Sequence, residues 1–184
     1  MIEIRWHARA GQGAVTAAKA LADSALAEGK FVQAFPDYGP ERMGAPVKAY
    51  NRIAESPIRT HGIVEHPRVI VIVDPSLVGD EVKEGVPDDG VFLVNSSKSP
   101  EEARKLLGAG RRVFTVDATR IAQEAIGLRK PNTPMLGAVA KVTGIILLET
   151  LLAETEKSFG HKYKRAVVEG NLAAIRRAFE EVRG

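Results

Sequence analysis

The sequence contains no cysteine among its 184 residues. This absence excludes disulfide bonds, a thiol nucleophile, thiolate-bound zinc and cysteine-held iron–sulfur clusters within the chain. Aromatic residues make up only 5% of the chain, and no run of basic residues is longer than two. Nucleic-acid-binding proteins normally carry a basic patch with interleaved aromatic residues, so the sequence argues against nucleic acid as a partner.

Long hydrophobic runs are also lacking. The most apolar stretch, Ile145 to Leu152, is too short to span a bilayer and contains Glu149. The opening residues, MIEIRWHARAG, carry charges where a secretory signal needs an apolar core. We therefore expect no membrane attachment and a cytoplasmic location.

The chain has 26 basic and 23 acidic residues, so neither sign of charge dominates. The chain is 45% hydrophobic and 27% charged, which is ordinary for a globular protein. Its length predicts a single domain over residues 1–184.

Short β-branched runs alternate along the chain with helical patterns. Such near-continuous apolar runs predict strands covered on both faces, as in a parallel sheet. The predicted strands are Ile2–Trp6, Val69–Val73, Val91–Val94 and Val113–Val116. The predicted helices are Ala14–Glu28, one capped by Ser99-Pro100, Ala118–Ile126, one from Thr133-Pro134 that could run through Leu152, and about Lys164 to Val182.

One stretch departs from this pattern. Residues Pro46–Ile53 alternate between apolar and polar side chains, and Pro57–Arg59 offers a short partner after the Glu55-Ser56 turn. The prediction is therefore a three-layer α/β/α sandwich whose mostly parallel, mixed sheet includes one hairpin.

The segment HARAGQGAV, residues 7–15, lies between the first strand and the first helix. Gly11 and Gly13 allow close approach of an anion to the helix N-terminus, although a turn without a ligand is an equally good interpretation. The dinucleotide fingerprint is absent. Thr16 occupies the position of its third glycine, and Val32 lies where its acidic residue is expected. NAD and FAD are therefore disfavoured.

Two other segments are candidate ligand loops. Arg42 lies in the Gly- and Pro-rich segment Phe35–Pro46 and can donate two parallel hydrogen bonds to a phosphate group. The composition of the segment nevertheless favours a purely structural loop. Asn95 and Lys98 follow a predicted strand, where α/β sheets bind ligands, although Asn95 can simply turn the chain.

The remaining polar candidates have simpler interpretations. Asp74 and Asp117 follow strands and are expected to cap helices more often than to serve as a base or metal ligand. The four histidines show no metal-binding spacing, and only His7, at a strand end, lies near a candidate loop. No catalytic set and no metal site is predicted.

Several longer segments resemble, nearly end to end and in the same order, the γ subunit of 2-oxoacid:ferredoxin oxidoreductases, the pyruvate synthase type included. The segments FPDYGPERMGAPV and NTPMLGA carry the most specific resemblance. The others are HARAGQGAVTAAKALA, VDPSL, LVNSSK and VDAT.

The resemblance implies an enzyme that oxidatively and reversibly decarboxylates a 2-oxoacid to acyl-CoA with ferredoxin as electron acceptor. Pyruvate is the expected 2-oxoacid, because the resemblance is closest to the pyruvate type. Thiamine diphosphate, Mg²⁺ and [4Fe–4S] clusters would be bound by the partner subunits, which are α, β and δ. The γ subunit would be an α/β domain that helps bind coenzyme A (CoA) and is inactive alone. The rival interpretation is a structural assembly subunit without ligand contact.

The resemblance also implies that Gly11, Gln12 and Gly13 contact CoA or lie near it. It makes Arg42 a candidate phosphate ligand, and Asn95 and Lys98 further candidates for CoA binding. The family commonly has glycine where Ala8 and Ala10 stand, so either those positions have ordinary dihedrals here or the loop lies further from its ligand. Segments Phe31–Pro46 and Pro131–Gly137 are expected to face partner subunits.

Overall fold

Six strands form one mixed sheet in a computed structural model that describes residues 1–37, 44–108 and 110–184. Its order is β2-β3-β1-β4-β5-β6, in which β3 runs antiparallel to β1 and β2 while the pairs β1–β4, β4–β5 and β5–β6 are parallel. The strands are Ile2–Arg9 (β1), Phe31–Asp37 (β2), Pro46–Ala54 (β3), Val69–Ile72 (β4), Val91–Asn95 (β5) and Arg112–Val116 (β6).

Helices cover both faces of this sheet unequally. One face packs on α1 and α3 to α6, whereas α2 covers part of the other together with the short 3₁₀ turn Glu81–Lys83. A second 3₁₀ turn, Pro75–Leu77, follows β4 and contains no buried residue. The helices are Ala14–Ala27 (α1), Pro100–Leu107 (α2), Ala118–Ile126 (α3), Asn132–Thr143 (α4), Leu148–Gly160 (α5) and Arg165–Glu181 (α6). The predicted α/β/α architecture is confirmed. No helix in the described ranges is both long and apolar enough to cross a membrane.

The carboxyl ends of the parallel strands meet at one edge of the sheet. The backbone N–H of Val73, just after β4, donates to the carbonyl of His7 in β1 over 2.8 Å. Past β5, Ser96 donates in the same way to Val116 of β6 over 2.9 Å. The loops after β1, β4, β5 and β6 therefore lie side by side, as ligand-binding loops of α/β sheets do.

The predicted hairpin partner is wrong. Pro57–Arg59 is not a strand, and Pro46–Ala54 pairs instead with Phe31–Asp37 on one side and with β1 on the other. Two neighbours already fill both edges of β3, so no third strand can pair there.

The predicted helix from Thr133 through Leu152 is also wrong. It divides into α4 and α5 because Gly144 adopts φ +61°, a left-handed conformation that ends a helix.

Candidate functional site

The glycine loop joins β1 to α1 at the carboxyl edge of the sheet. Gly11 and Gly13 have φ values of +92° and +82°, which only glycine adopts readily. No described residue other than glycine has positive φ, so Ala8 and Ala10 have ordinary dihedrals. Of the two alternatives for these alanines, the structure selects the first.

Gln12 ties this loop to the end of β4. Its side-chain Nε2 donates to Asp74 Oδ2 over 2.6 Å, and its Oε1 accepts from the backbone N–H of Arg9 over 2.8 Å. The Gln12 carboxamide therefore shapes the loop from within.

Arg9 and Asp74 fill the crevice between β1 and β4. The Arg9 guanidinium donates to Ser76 Oγ and to the Gly44 carbonyl, and its Nε lies 3.6 Å from Asp74 Oδ2. Burial favours the protonated form of Asp74, but hydrogen bonds from Ser76 and Gln12 and the Arg9 charge outweigh it and lower the pKa. The crevice therefore holds the ionised carboxylate of Asp74, and the neighbouring Arg9 guanidinium already donates hydrogen bonds within the chain.

Asn95 occupies the end of β5 and is buried. Its Nδ2 donates over 2.8 Å to the Val73 carbonyl and to Thr119 Oγ1, while its Oδ1 accepts from the backbone N–H of Thr119. The Asn95 side chain thus links the ends of β4 and β5 to the start of α3 through hydrogen bonds. Lys98 lies exposed in the following loop, and its backbone N–H donates to Ser96 Oγ.

The predicted caps at Asp74, Ser99 and Asp117 are confirmed, whereas the predicted N-cap at Thr133 is wrong, because α4 already begins at Asn132. Asp74 accepts from the backbone N–H of Ser76 over 2.9 Å, and Asp117 accepts from that of Arg120 over 3.0 Å. Ser99 and Glu102 form the predicted capping box at the start of α2. These aspartates hold the loops at the sheet edge in place.

His7 is buried on the opposite face of the sheet from α1. Its Nε2 accepts from Arg5 Nε over 3.0 Å, and burial together with the Arg5 charge lowers its pKa to about 3. Within the described ranges, no group of three or more acidic, histidine or cysteine side chains is placed to hold a metal ion.

Arg42 lies outside the described residues, as do Tyr38 and Glu41. Pro131–Gly137 is not an exposed loop, because it forms the start of α4 and its side chains are mostly buried. The expectation that Pro131–Gly137 faces a partner subunit is therefore wrong for its buried side chains.

A groove of about 760 Å³ begins at the glycine loop and follows the outer side of α1. Sequence reasoning missed it, because its walls come from five helices that are distant in the chain. One end of the groove includes Gly13, Asn132, Thr133 and Lys130, and its apolar wall includes Leu26, Leu128, Tyr163 and Val167. The only signal in the sequence is the stripe Thr16, Lys19, Asp23 and Leu26 at helical spacing on α1.

A family model described as pyruvate ferredoxin/flavodoxin oxidoreductase matches residues 3–181. The chain belongs to this family. Pyruvate synthase subunit PorC of Thermotoga maritima is 49% identical over 181 residues, which are 98% of this chain and 94% of that one. The predicted identification as a γ subunit of the 2-oxoacid:ferredoxin oxidoreductases is confirmed.

Other relatives agree in fold and extent. The common γ subunit of the pyruvate and ketoisovalerate oxidoreductases of Pyrococcus abyssi is 48% identical over 183 residues, covering 98% of this chain and 97% of its own length. A crystal structure of pyruvate oxidoreductase subunit PORC from Thermotoga maritima superposes with a TM-score of 0.89 at 46% identity, covering 99% of this chain and 97% of that one.

The same fold occurs inside a larger enzyme. A 2-oxoglutarate:ferredoxin oxidoreductase chain from Magnetococcus marinus, solved with 2-oxoglutarate, coenzyme A and succinyl-CoA bound, matches with a TM-score of 0.76 at 20% identity. The match covers 96% of this chain but 30% of that chain.

Proposed function

We propose that this chain is the γ subunit of a cytoplasmic enzyme that oxidatively decarboxylates a 2-oxoacid to acyl-CoA and CO₂, reversibly, with ferredoxin as acceptor. Pyruvate is the preferred substrate, because the PorC relative is named for it and the Pyrococcus subunit serves pyruvate and ketoisovalerate enzymes. Thiamine diphosphate, Mg²⁺ and [4Fe–4S] clusters belong to the α, β and δ partners. The lack of cysteine in this chain fits that division.

The role of the γ subunit is to bind and position CoA. The observation that carries this role is the glycine loop, which opens the N-terminus of α1 at the carboxyl edge of the sheet without a side-chain cap. Exposed N–H groups at such a position favour a phosphate group. Holding CoA so that its thiol reaches the reacting acyl group lowers the entropic part of the barrier.

The six residues proposed for CoA binding act in three ways. Gly11 and Gly13 offer main-chain groups, whereas Arg42 and Lys98 offer positive charge. Gln12 and Asn95 have side-chain amides engaged within the chain, so they hold the loops in shape and reach a ligand only through the loops they position.

The test is Arg42→Ala in the assembled enzyme, with Arg59→Ala, at an exposed position, as the matched control. We expect the KM for CoA to rise about tenfold, because charged hydrogen bonds to phosphate are lost, while the KM for the 2-oxoacid stays constant. Steady-state kinetics with each substrate varied in turn measure both values.

A structural assembly subunit without ligand contact is the second candidate. It is favoured by the internal hydrogen bonds of Gln12 and Asn95, which leave those amides satisfied without a ligand. If Arg42→Ala leaves the KM for CoA unchanged but impairs assembly, this second function replaces the first. Tight calorimetric binding of NAD to the isolated chain would contradict both.

A further inference from the structure

The glycine loop has a single side chain, that of Gln12, between Gly11 and Gly13. Both glycines have positive φ, and a loop built in this way has much conformational freedom of its own. Its arrangement therefore depends on the hydrogen bonds that hold it. Among the described residues, one hydrogen bond joins residues 11–13 to a neighbouring loop, and it runs from Gln12 Nε2 to Asp74 Oδ2 over 2.6 Å.

The direction of this hydrogen bond is fixed by the other end of the Gln12 carboxamide. Gln12 Oε1 accepts from the backbone N–H of Arg9 over 2.8 Å, so Nε2 is left as a donor and needs an acceptor. The ionised Asp74 carboxylate accepts at both oxygens and meets this need. Gln12 and Asp74 are thus matched in hydrogen-bonding direction as well as in position.

Asp74 makes more contacts than its cap requires. Its Oδ1 accepts from the backbone N–H of Ser76 over 2.9 Å, which completes the cap of the 3₁₀ turn after β4. Its Oδ2 takes no part in the cap, but accepts from Gln12 and lies 3.6 Å from Arg9 Nε. The second oxygen therefore serves the glycine loop.

Asp117 shows what a cap without this link looks like. It follows β6 at the same edge of the sheet, and its Oδ1 accepts from the backbone N–H of Arg120 over 3.0 Å. Its Oδ2 lies 3.6 Å from Nε of the same Arg120. Both contacts of Asp117 stay within three residues, whereas Asp74 also binds a side chain 62 residues earlier in the chain.

A loop that is held in its binding arrangement before the ligand arrives loses less entropy on binding. We propose that Asp74 is a positioning residue for CoA: through Gln12, it holds the glycine loop in the arrangement whose main-chain N–H groups meet a phosphate group. The inference rests on the proposed function, which assigns CoA to this loop.

The first test is Asp74→Asn in the assembled enzyme. Asparagine keeps the cap, because its oxygen can still accept from Ser76, but its amino group turns a second donor toward Gln12 Nε2. We expect the KM for CoA to rise about tenfold, since a hydrogen bond to a charged group is lost. Steady-state kinetics should show a constant kcat at saturating CoA and a constant KM for the 2-oxoacid. Asp117→Asn, the matched control, alters the other cap in the same way and should change none of these values.

The second test exchanges the two functional groups. Gln12→Glu alone brings two carboxylates together and should also raise the KM for CoA. In the double variant Gln12→Glu/Asp74→Asn, the new asparagine donates to the new glutamate, which still accepts from the backbone N–H of Arg9. We expect the KM for CoA to return to within about twofold of its natural value, a clear departure from additivity that a general loss of structure would not produce.

Three results would overturn this role of Asp74. They are an unchanged KM for CoA in Asp74→Asn, an equal rise in Asp117→Asn, and a double variant no better than Asp74→Asn alone. Under any of them, an effect of Arg42→Ala on the KM for CoA leaves the proposed function standing. If Arg42→Ala has no effect either, the proposed function is removed as well.

Discussion

His7 remains neutral in the folded chain because it is buried beside the Arg5 guanidinium, and its pKa falls to about 3. In the unfolded chain it takes up a proton below its ordinary pKa of 6.5. Burial of His7 therefore does not lower the free energy of unfolding above pH 6.5, but it lowers that free energy progressively as the pH falls from 6.5 toward 3.

We expect His7→Gln to remove this loss. Gln keeps an acceptor for Arg5 but cannot be protonated, so the variant should gain about 2 kcal/mol over the natural chain between neutral pH and about pH 4.5. Urea unfolding of both chains at the two pH values measures the difference. Parallel pH profiles would show that His7 is not the responsible group.

Residues whose partners are close in the chain were predictable. Ser99 with Glu102, Asp74 with Ser76 and Asp117 with Arg120 each form a cap within three residues. The partners of Gln12 and Asn95 were not predictable, because Asp74 is 62 residues from Gln12 and Val73 is 22 residues from Asn95. Such distant pairs form only when strands lie side by side.

At the scale of elements, α4 and α6 approach each other closely at Gly137. A Cβ added there would lie 2.0 Å from the carbonyl oxygen of Ile175, a backbone atom that cannot rotate away. The absence of a side chain at this position is what lets the two helices touch.

We therefore expect Gly137→Ala to lower the free energy of unfolding by at least about 2 kcal/mol, through overpacking. The control is Gly160→Ala at the end of α5, where an added Cβ meets nothing within 4 Å and should stabilise by up to about 1 kcal/mol. Chemical denaturation of both variants measures the contrast. Equal effects of the two substitutions would contradict this account of the contact.

For the whole molecule, the two edges of the sheet differ. The outer side of β6 is paired with Arg183 near the C-terminus, whereas β2 has a strand neighbour only in β3 within the described chain. Phe31 lies on β2 and is 42% exposed. This edge fits the expected partner-facing segment Phe31–Pro46, of which residues 38–43 lie outside the described ranges.

We expect Phe31→Asp to weaken association with the partner subunits by at least about tenfold, because aromatic side chains often dominate interfaces. Leu106→Asp on α2, also at an exposed apolar residue, is the control and should assemble normally. Size-exclusion chromatography of the reconstituted enzyme separates the two results. Normal assembly of Phe31→Asp would exclude this edge as an interface.

The sequence by itself determined the α/β architecture, five of the six strands in outline, the caps of α2 and α3, and membership of the family. These follow from local signals, since β-branched runs, caps and family segments are each read over a few consecutive residues. Only the tertiary structure decided the strand that pairs with β3, the division of α4 from α5, the internal partners of Gln12 and Asn95, and the groove in which α1 and α4 begin together. Each of these depends on contacts between residues distant in the chain, and no local pattern records such contacts.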